Sequence, residues 1–400
     1  MRKDLRRVVS RPHPGEAGFS LCFPLEFLQS LHIVSAQEQT MKTELNHAVR
    51  VTVVTLLMVH CLNAATRVSA YCPGDLTGNG VVNGADLGLI LAAWGSDGTS
   101  EPGSDLNQDG VVNGADLASL LAAWGPCPVV GTVRAWGWND YGQCNIPADL
   151  GLCTAIAGGD RHTVALRTNG TARAWGDNSL GQCNIPSDLG SCVSIAAGRH
   201  HTLAIRIDRT VRAWGSNLFG ECNVPLDLGS CSAIAGGSTF SVALTTGGIV
   251  RAWGYGEYGQ LNVPSNLGPC AAIATRSNHV VALGVDGGIR AWGYNYSGQC
   301  NTPANLSVCT AIAGGSNHTV ALTTDGAIRA WGNNDFLQLN IPANIGSCTA
   351  VAGGNAHTIA LGTDGTVSVW GTNSVDQFPT NLGPCVVIAA GFSHSIVLER

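Results

Sequence analysis

Lysine is almost missing from this chain of 400 residues: Lys3 and Lys42 are the only two. Charged residues make up 12% of the sequence and aromatic residues 6%, and the formal net charge is -6. A chain so poor in positive charge has no basic footprint for nucleic acid. Its low charge, with 45% hydrophobic residues, also excludes general disorder, which needs low hydrophobicity and high charge. The short signatures of catalysis are absent as well. There is no Gly-x-Ser-x-Gly, no His-Glu-x-x-His, no phosphate loop and no acid pair at a repeated position. Glycine, by contrast, reaches 52 residues, which suits tightly turned β structure.

A Trp-Gly pair recurs at one unvarying interval, beginning at Trp136, Trp175, Trp214, Trp253, Trp292, Trp331 and Trp370. A fixed period of this length marks stacked structural units that bury a core between neighbours. Each unit offers three strand-like segments, of the types Cys-Thr-Ala-Ile-Ala, His-Thr-Val-Ala-Leu and Ala-Arg-Ala-Trp. Asn169-Gly170, Asp325-Gly326 and Asp364-Gly365 give strong hairpin turns, and a short fourth strand is expected around Gln-Cys-Asn. This is the pattern of a propeller blade, so the fold class expected for residues 128–400 is all-β, a closed seven-bladed β-propeller. The array stops at His394-Ser-Ile-Val-Leu-Glu-Arg400 without the next Trp strand, and Gly131-Thr-Val-Arg-Ala-Trp136 supplies that strand at its start. The first strand is therefore expected to complete the last blade, removing free sheet edges.

Residues 1–70 are of another kind. Met41 to Arg50 is a short charged leader, Val51 to Ala65 an apolar run, and Val68-Ser69-Ala70 a small-residue cleavage site. These are the three parts of a secretory signal, too short and interrupted for a membrane span. Residues 1–40 read as an upstream extension outside the native start. Export places the cysteines in an oxidising compartment, and thirteen of the fifteen follow Ala70.

Residues 71–127 hold two near copies in tandem: Asp75-Leu-Thr-Gly-Asn-Gly-Val-Val-Asn-Gly-Ala-Asp86 and Asp105-Leu-Asn-Gln-Asp-Gly-Val-Val-Asn-Gly-Ala-Asp116. Each is a loop with oxygen donors at the positions a calcium ion uses. The expected ligands are Asp75, Thr77, Asn79, Val81, Asn83 and Asp86 in the first loop. In the second they are Asp105, Asn107, Asp109, Val111, Asn113 and Asp116, with Val81 and Val111 acting through their carbonyls. Two Ca2+ sites follow, the first weaker because Thr77 stands at position 3. The segment has seven acids and neither Lys nor Arg, a crowding that a cation relieves. Val82 and Val112 are apolar, as expected if the loops pair side by side, and an amphipathic α-helix follows each loop.

This segment resembles a dockerin, the duplicated loop-helix module that plugs secreted proteins into cohesin partners. The resemblance implies calcium binding. It also implies termini brought together, and hence a disulfide between Cys72 and Cys127. Gly84-Ala85 and Gly114-Ala115 depart from the hydrogen-bonding side chains that cohesin-binding dockerins carry at these loop positions. A cohesin-like partner is thus an expectation of the family rather than of these residues.

The repeated units resemble the regulator of chromosome condensation repeat family, through Trp-Gly-x-Asn-x-x-Gly-Gln and Gly-x-x-His-x-x-Ala-Leu. Their compactness is similar to that of the secreted β-lactamase inhibitory propellers. Cys144, Cys183, Cys222 and Cys300 replace the family's Leu after Gln, whereas Leu261 and Leu339 keep it. Guanine-nucleotide exchange, known in the family, is not expected of an exported chain.

Several repeated positions invite assignment. His162, His201, His279, His318, His357 and His394 share one blade position with Phe240; they read as structural, each bonding a backbone group in its own blade, and not as metal ligands. Arg134, Arg173, Arg212, Arg251, Arg290 and Arg329 are expected to stack on indoles. Repeated cysteine pairs, such as Cys144 and Cys153, are either disulfides or small buried apolar residues. One connecting loop per unit carries the variable aromatic residues Trp138, Tyr141, Phe219, Tyr255, Tyr258, Tyr294, Tyr296 and Phe336. On a shared rim these form a partner-binding face, with Trp138, Tyr255 and Tyr294 expected to be the most exposed; the residues five past Trp, Tyr141, Phe219, Tyr258 and Phe336, read equally as packing between blades.

The sequence thus reads as a secreted, monomeric, non-enzymatic binding protein for a protein or glycan partner. It leaves no membrane span after signal cleavage. The rival is a dockerin-bearing enzyme of polysaccharide degradation, which would need an acid or histidine cluster.

Overall fold

The computed structural model describes residues 72, 74–77, 81–99, 101, 103–127, 129–372 and 378–400. The leader and signal expected in residues 1–70, and the ligand position Asn79, lie outside them. The chain divides into the units Met1–Ala70 and Tyr71–Arg400, and only the second is described below.

Within residues 72–127 the loops lead into helices α1 (Gly84–Ala92) and α2 (Gly114–Ala122). Asn83 and Asn113 are the N-caps, and Asp86 and Asp116 complete a capping box at each helix start. The loops do not pair with each other. Val81–Val82 pairs antiparallel with Gly125–Pro126, beyond α2. Val112 exchanges hydrogen bonds with the segment beyond α1, through Gly95 N→Val112 O at 2.8 Å and Val112 N→Ser96 O at 2.8 Å. Each loop is therefore tied to the exit of the other copy's helix. The reason is that the core lies between the copies: Val82, Ile90, Val112 and Leu120 are buried together there. A disulfide joins Cys72 to Cys127, with Cα atoms 5.7 Å apart.

Residues 131–400 form seven three-stranded antiparallel sheets. The first is Cys153–Gly158, His162–Arg167 and Ala172–Gly176. The second starts at Cys192, the third at Cys231, the fourth at Cys270, the fifth at Cys309 and the sixth at Cys348. The seventh joins Cys385–Ala390 and His394–Glu399 to Thr132–Gly137, from the other end of the array, in the register His394↔Gly137 through Glu399↔Thr132. The fourth strand expected around Gln-Cys-Asn is a turn instead. There Asn139 uses both ends of its amide, donating to Asn145 Oδ1 (2.8 Å) and accepting from Cys144 N (2.8 Å). Such a local side-chain clamp satisfies the backbone without a ladder.

The Trp-Gly period has a simple cause. Gly176 lies at φ +103°, and a Cβ there would fall 2.5 Å from the Arg161 carbonyl oxygen, so only glycine fits. Trp175 is buried, and its indole N–H donates to the Gln143 carbonyl at 3.0 Å. The same carbonyl accepts from the Thr163 hydroxyl at 2.8 Å. This node recurs with Trp214 and Thr202 on Gln182, Trp253 and Ser241 on Glu221, and Trp331 and Thr319 on Gln299.

The histidines join this node from the neighbouring sheet, not from within their own. His162 Nε2 lies 3.0 Å from Thr202 Oγ1, His201 Nε2 3.1 Å from Ser241 Oγ, and His318 Nε2 3.1 Å from Thr358 Oγ1. Each hydroxyl's single proton is engaged on a carbonyl, so the imidazole is the donor and Nδ1 is left unprotonated. His394 makes the same bond to Thr163 at 3.0 Å, from the seventh sheet to the first. The core follows that contact, since Val133, Ile396 and Leu398 pack with Cys153, Ile156 and Trp175.

At one end of the sheets the inner turns bond side by side, as in Arg199 N→Gly237 O (3.0 Å), Asn355 N→Phe392 O (2.9 Å) and Phe392 N→Gly159 O (3.1 Å). Most of these turns contain Gly-Gly or Ala-Gly, because the histidine ring lies beneath: a Cβ on Gly159 would collide with the His162 imidazole. The fourth sheet has Thr275-Arg276 in their place. Thr275 Oγ1 donates to the His279 carbonyl (2.7 Å), a role the turn glycine's N–H fills elsewhere, as in Gly159 N→His162 O. Arg276, its side chain 9% exposed, reaches three sheets away in both directions. It donates to Ala390 O (3.0 Å) in the seventh sheet and to Gly158 O (3.2 Å) and Gly159 O (3.3 Å) in the first. One side chain thus ties down both sides of the junction between the array's two ends.

Two outcomes follow. Burial lowers His162, His318 and His357 to about 3, and His201 and His279 to about 4. Below the ordinary value near 6.5 the unfolded chain takes up protons that the native imidazoles refuse. Stability is therefore complete above about pH 6.5 and falls toward pH 4, by about 1.4 kcal/mol per pH unit for each histidine. Thermal unfolding at pH 7, 5.5 and 4.5 measures this, and His279→Phe should flatten the dependence, since Phe240 already occupies the equivalent place. Arg276→Met should cost about 3 kcal/mol by leaving carbonyls unpaired. Hydrogen exchange should then quicken in Thr132–Gly137 before Val211–Gly215; uniform loosening would refute the junction role.

Candidate binding face

The inner turns and the loops after each Trp-Gly lie at the same end of the sheets. Asp177 N donates to Arg161 O (2.8 Å), Ser216 N to His200 O (2.9 Å) and Tyr255 N to Thr239 O (3.0 Å). Every such loop is thus pinned to the turn of the sheet it leaves, and the variable residues are gathered on one face.

Five of the aromatic residues form a continuous ledge across three successive loops. Ring centroids are 4.9 Å apart for Phe219–Tyr255, 6.2 Å for Tyr255–Tyr258, 5.2 Å for Tyr258–Tyr294 and 6.4 Å for Tyr294–Tyr296. All but the last pair meet edge to face, the arrangement the ring quadrupole favours. Trp138 and Tyr141 make a separate pair at 5.3 Å, with the Arg161 guanidinium 4.4 Å from the Tyr141 centroid and 5.7 Å from that of Trp138. Phe336 stands apart from these rings.

The order of exposure is the reverse of the sequence expectation. Trp138, Tyr255 and Tyr294 are half-buried, while Tyr141 is 39% exposed, Tyr258 45%, Phe219 50%, Phe336 50% and Tyr296 88%. The residue two past Trp starts its loop on the backbone bond just described, and a neighbouring ring packs against it, as Phe219 of the preceding loop does against Tyr255. The residue three further on is carried outward by the turn.

The arginines before each Trp do not stack on indoles. Arg173 meets Asp149 at 2.8 Å and Arg251 meets Asp227 at 3.0 Å, and Arg212 pairs with Asp188. These acids lie in the Pro-x-Asp-Leu turns, a partnership across 24 residues that strand spacing does not reveal. The eleven cysteines from Cys144 to Cys385 are unbonded thiols. Cys144 donates to Trp138 O (3.5 Å) and Cys222 to Ser216 O (3.0 Å), filling the place of the family's Leu. Burial pushes Cys144 up to about 11, and Cys183 and Cys222 up to about 12. Such thiols carry little thiolate and react slowly.

Sequence reasoning missed one constellation. Asp160, Arg161, Asp177, Arg199 and His200 come from two repeats and meet beside Trp138 and Tyr141, with Arg199 Nε 3.1 Å from Asp160 Oδ2. The signal was present as charge in turns that elsewhere carry Ser, Asn, Thr, Ala or Phe.

The calcium-type loops are wrapped on themselves. In the second, Asp105 Oδ2 accepts from Gly110 N (2.8 Å), and Gly110 has φ +88° at the sharp turn. Asp116 accepts from Leu106 N (2.8 Å), Asn107 N (3.1 Å) and Asn113 N (2.8 Å). In the first, Thr77 Oγ1 donates to Asp86 Oδ1 (2.9 Å) and lies 3.3 Å from Asp75 Oδ1. Burial alone would raise Asp86 and Asp116, but these donors outweigh it and hold both carboxyls below the usual range. The Val81 and Val111 carbonyls accept from the Asn83 and Asn113 amides. Among the described residues no three His, Cys, Asp or Glu side chains converge as a ligand group. The donor set is nonetheless all hard oxygen, the chemistry that suits calcium.

Comparison with known proteins agrees with this architecture. Residues 153–182, 192–221, 231–260, 309–338 and 348–377 match the regulator of chromosome condensation (RCC1) repeat. Residues 73–123 match the dockerin type I domain. No curated protein matches the chain. Among solved structures it is similar to Prp20p from Saccharomyces cerevisiae, at 20% identity and TM-score 0.60 over 68% of this chain and 92% of that one. It is also similar to human WBSCR16, at 18% identity and TM-score 0.57 over 67% and 98%. A third is the receptor kinase CR4 ectodomain of Physcomitrella patens, at 22% identity and TM-score 0.52 over 59% and 67%. The chain is thus a β-propeller protein. More particularly, it carries five RCC1 repeats preceded by a dockerin type I domain.

Proposed function

We propose that this chain is an exported, monomeric binding protein. Its propeller is a closed disc of seven blades, and one face holds a protein or glycan partner. The dockerin domain, loaded with calcium, docks the protein to a surface or complex, with a cohesin-like module as the family's partner. The observation that carries this reading is the aromatic ledge: five rings in mutual contact, on rigid loops, with Phe219, Tyr258 and Tyr296 open to solvent. Preorganised aromatic anchors of this kind dominate binding energy at interfaces. Export is supported by the apolar run before Ala70 and by the Cys72–Cys127 disulfide, a bond of oxidising compartments.

Two Ca2+ ions would be held by Asp75, Thr77, Asn79, the Val81 carbonyl, Asn83 and Asp86, and by Asp105, Asn107, Asp109, the Val111 carbonyl, Asn113 and Asp116. The ions would neutralise the clustered carboxylates and fix the loops against the helix starts.

Partner capture tests the face. The full chain, presented to exported proteins and to a glycan array, should retain a partner that the triple variant Phe219→Ala, Tyr258→Ala, Tyr296→Ala loses at unchanged melting temperature. Undiminished capture would place the interface elsewhere. Chelation tests the loops: excess EDTA should loosen residues 72–127 in hydrogen exchange and leave the propeller unchanged. Asp105→Ala should weaken calcium affinity more than Thr77→Ala, because it removes a charged ligand. Identical exchange with and without chelator would refute calcium loading.

A further inference from the structure

The sector between the first and second sheets differs chemically from the aromatic ledge. Its inner turns carry Asp160-Arg161 and Arg199-His200. Asp160 already has cationic partners: Arg199 at 3.1 Å and, from the fourth sheet, Arg276 at 3.9 Å. Asp177 accepts from Ser179 N (3.0 Å) and Ser179 Oγ (3.2 Å). Arg161 is different. Its guanidinium lies over Tyr141 and Trp138, and among the described residues no carboxylate stands within ion-pair distance of it. A guanidinium whose face rests on aromatic rings keeps its N–H edge free for a planar, bidentate anion, above all a carboxylate. His200 adds a buried Nδ1 with no partner, in a half-buried ring beside Asp160, Asp177, Arg161 and Arg199.

The unpaired cation asks for an anion, yet Asp177 is bonded through its backbone to Arg161 (Asp177 N→Arg161 O, 2.8 Å), and its carboxylate repels a ligand that is only anionic. A ligand with both a carboxylate and O–H donors satisfies both groups. Trp138 and Tyr141 supply an apolar wall for the C–H edge of a ring. We propose that this sector binds a uronate residue of an acidic polysaccharide: Arg161 takes the carboxylate, Asp177 takes a hydroxyl, and the exposed part of Tyr141, backed by Trp138, borders the sugar's C–H edge. The proposal rests on the reading of this face as a binding surface and assigns a ligand class to a sector distinct from the ledge.

The test is calorimetric titration of the full chain with a tetragalacturonate, a neutral tetrasaccharide and a tetraglutamate peptide. The uronate should bind, more weakly at high salt because ion pairing is screened. Affinity should drop at least about tenfold in Arg161→Gln, with partial recovery in Arg161→Lys, which restores charge without the planar fork. Arg329→Gln removes the same charge from another sheet and should leave binding unchanged. Trp138→Phe should weaken it while keeping an apolar ring, with thermal unfolding confirming that each variant is folded. Full affinity in Arg161→Gln, equal loss in Arg329→Gln, or equal binding of the neutral sugar or the peptide would each overturn the proposal. Uronate binding lost only in the ledge triple variant would also overturn it and leave the ledge reading standing. Partner capture lost in that variant while no uronate binds would sink this proposal alone.

Discussion

The propeller depends on a backbone carbonyl that recurs from repeat to repeat. At Gln143, Gln182, Glu221 and Gln299, that oxygen accepts an indole N–H and a hydroxyl from the following sheet. At each of these four nodes a histidine from the preceding sheet then donates to the same hydroxyl. Each buried donor of the three side chains thereby finds an acceptor, and the imidazole Nδ1 is left as the one unpartnered atom of the node. The sheets themselves are small and share little backbone pairing with one another. Directional bonds at the node fix the angle between neighbours, and the Val, Leu and Ala side chains fill the space that this angle leaves.

This division of labour frees the loops. The tryptophan, its glycine and the clamp of Asn139 on Asn145 hold the loop backbone in place, so the residues two and five past Trp do not determine the fold. Chemistry can therefore differ by sector. One part of the face is a ledge of tyrosines, and another gathers arginines, aspartates and a histidine.

The period, the strands and the joining of the array's ends are legible in the sequence because they arise from local alternation and strict repetition. Contacts across repeats are not. Sequence spacing shows strand neighbours and so suggests histidine bonding within a blade, whereas Thr202 lies 40 residues from His162. Alternation along a strand sets Arg173 beside an indole, yet its partner is Asp149, in a turn of the preceding segment. The expected pairing of the two calcium-type loops fails for a similar reason: duplication places each loop against the other copy's helix exit. The charged sector escapes notice because its members look like scattered single acids until two turns are brought side by side. Exposure is misjudged at Trp138, Tyr255 and Tyr294, since hydrophobic size says nothing about which ring a neighbour covers.

The pairing of Thr132–Gly137 with His394–Glu399 also orders events in time. During synthesis the opening strand waits, unpaired, until nearly the whole array has followed it and its partner exists. No intermediate length of nascent chain can hold the complete set of sheets. Assembly must therefore begin with neighbouring repeats and finish with a long-range contact, the slowest kind to form. A chain that crossed a membrane as an extended polypeptide would meet this step only on the far side, and a product truncated short of the last repeat would leave the opening strand without its partner.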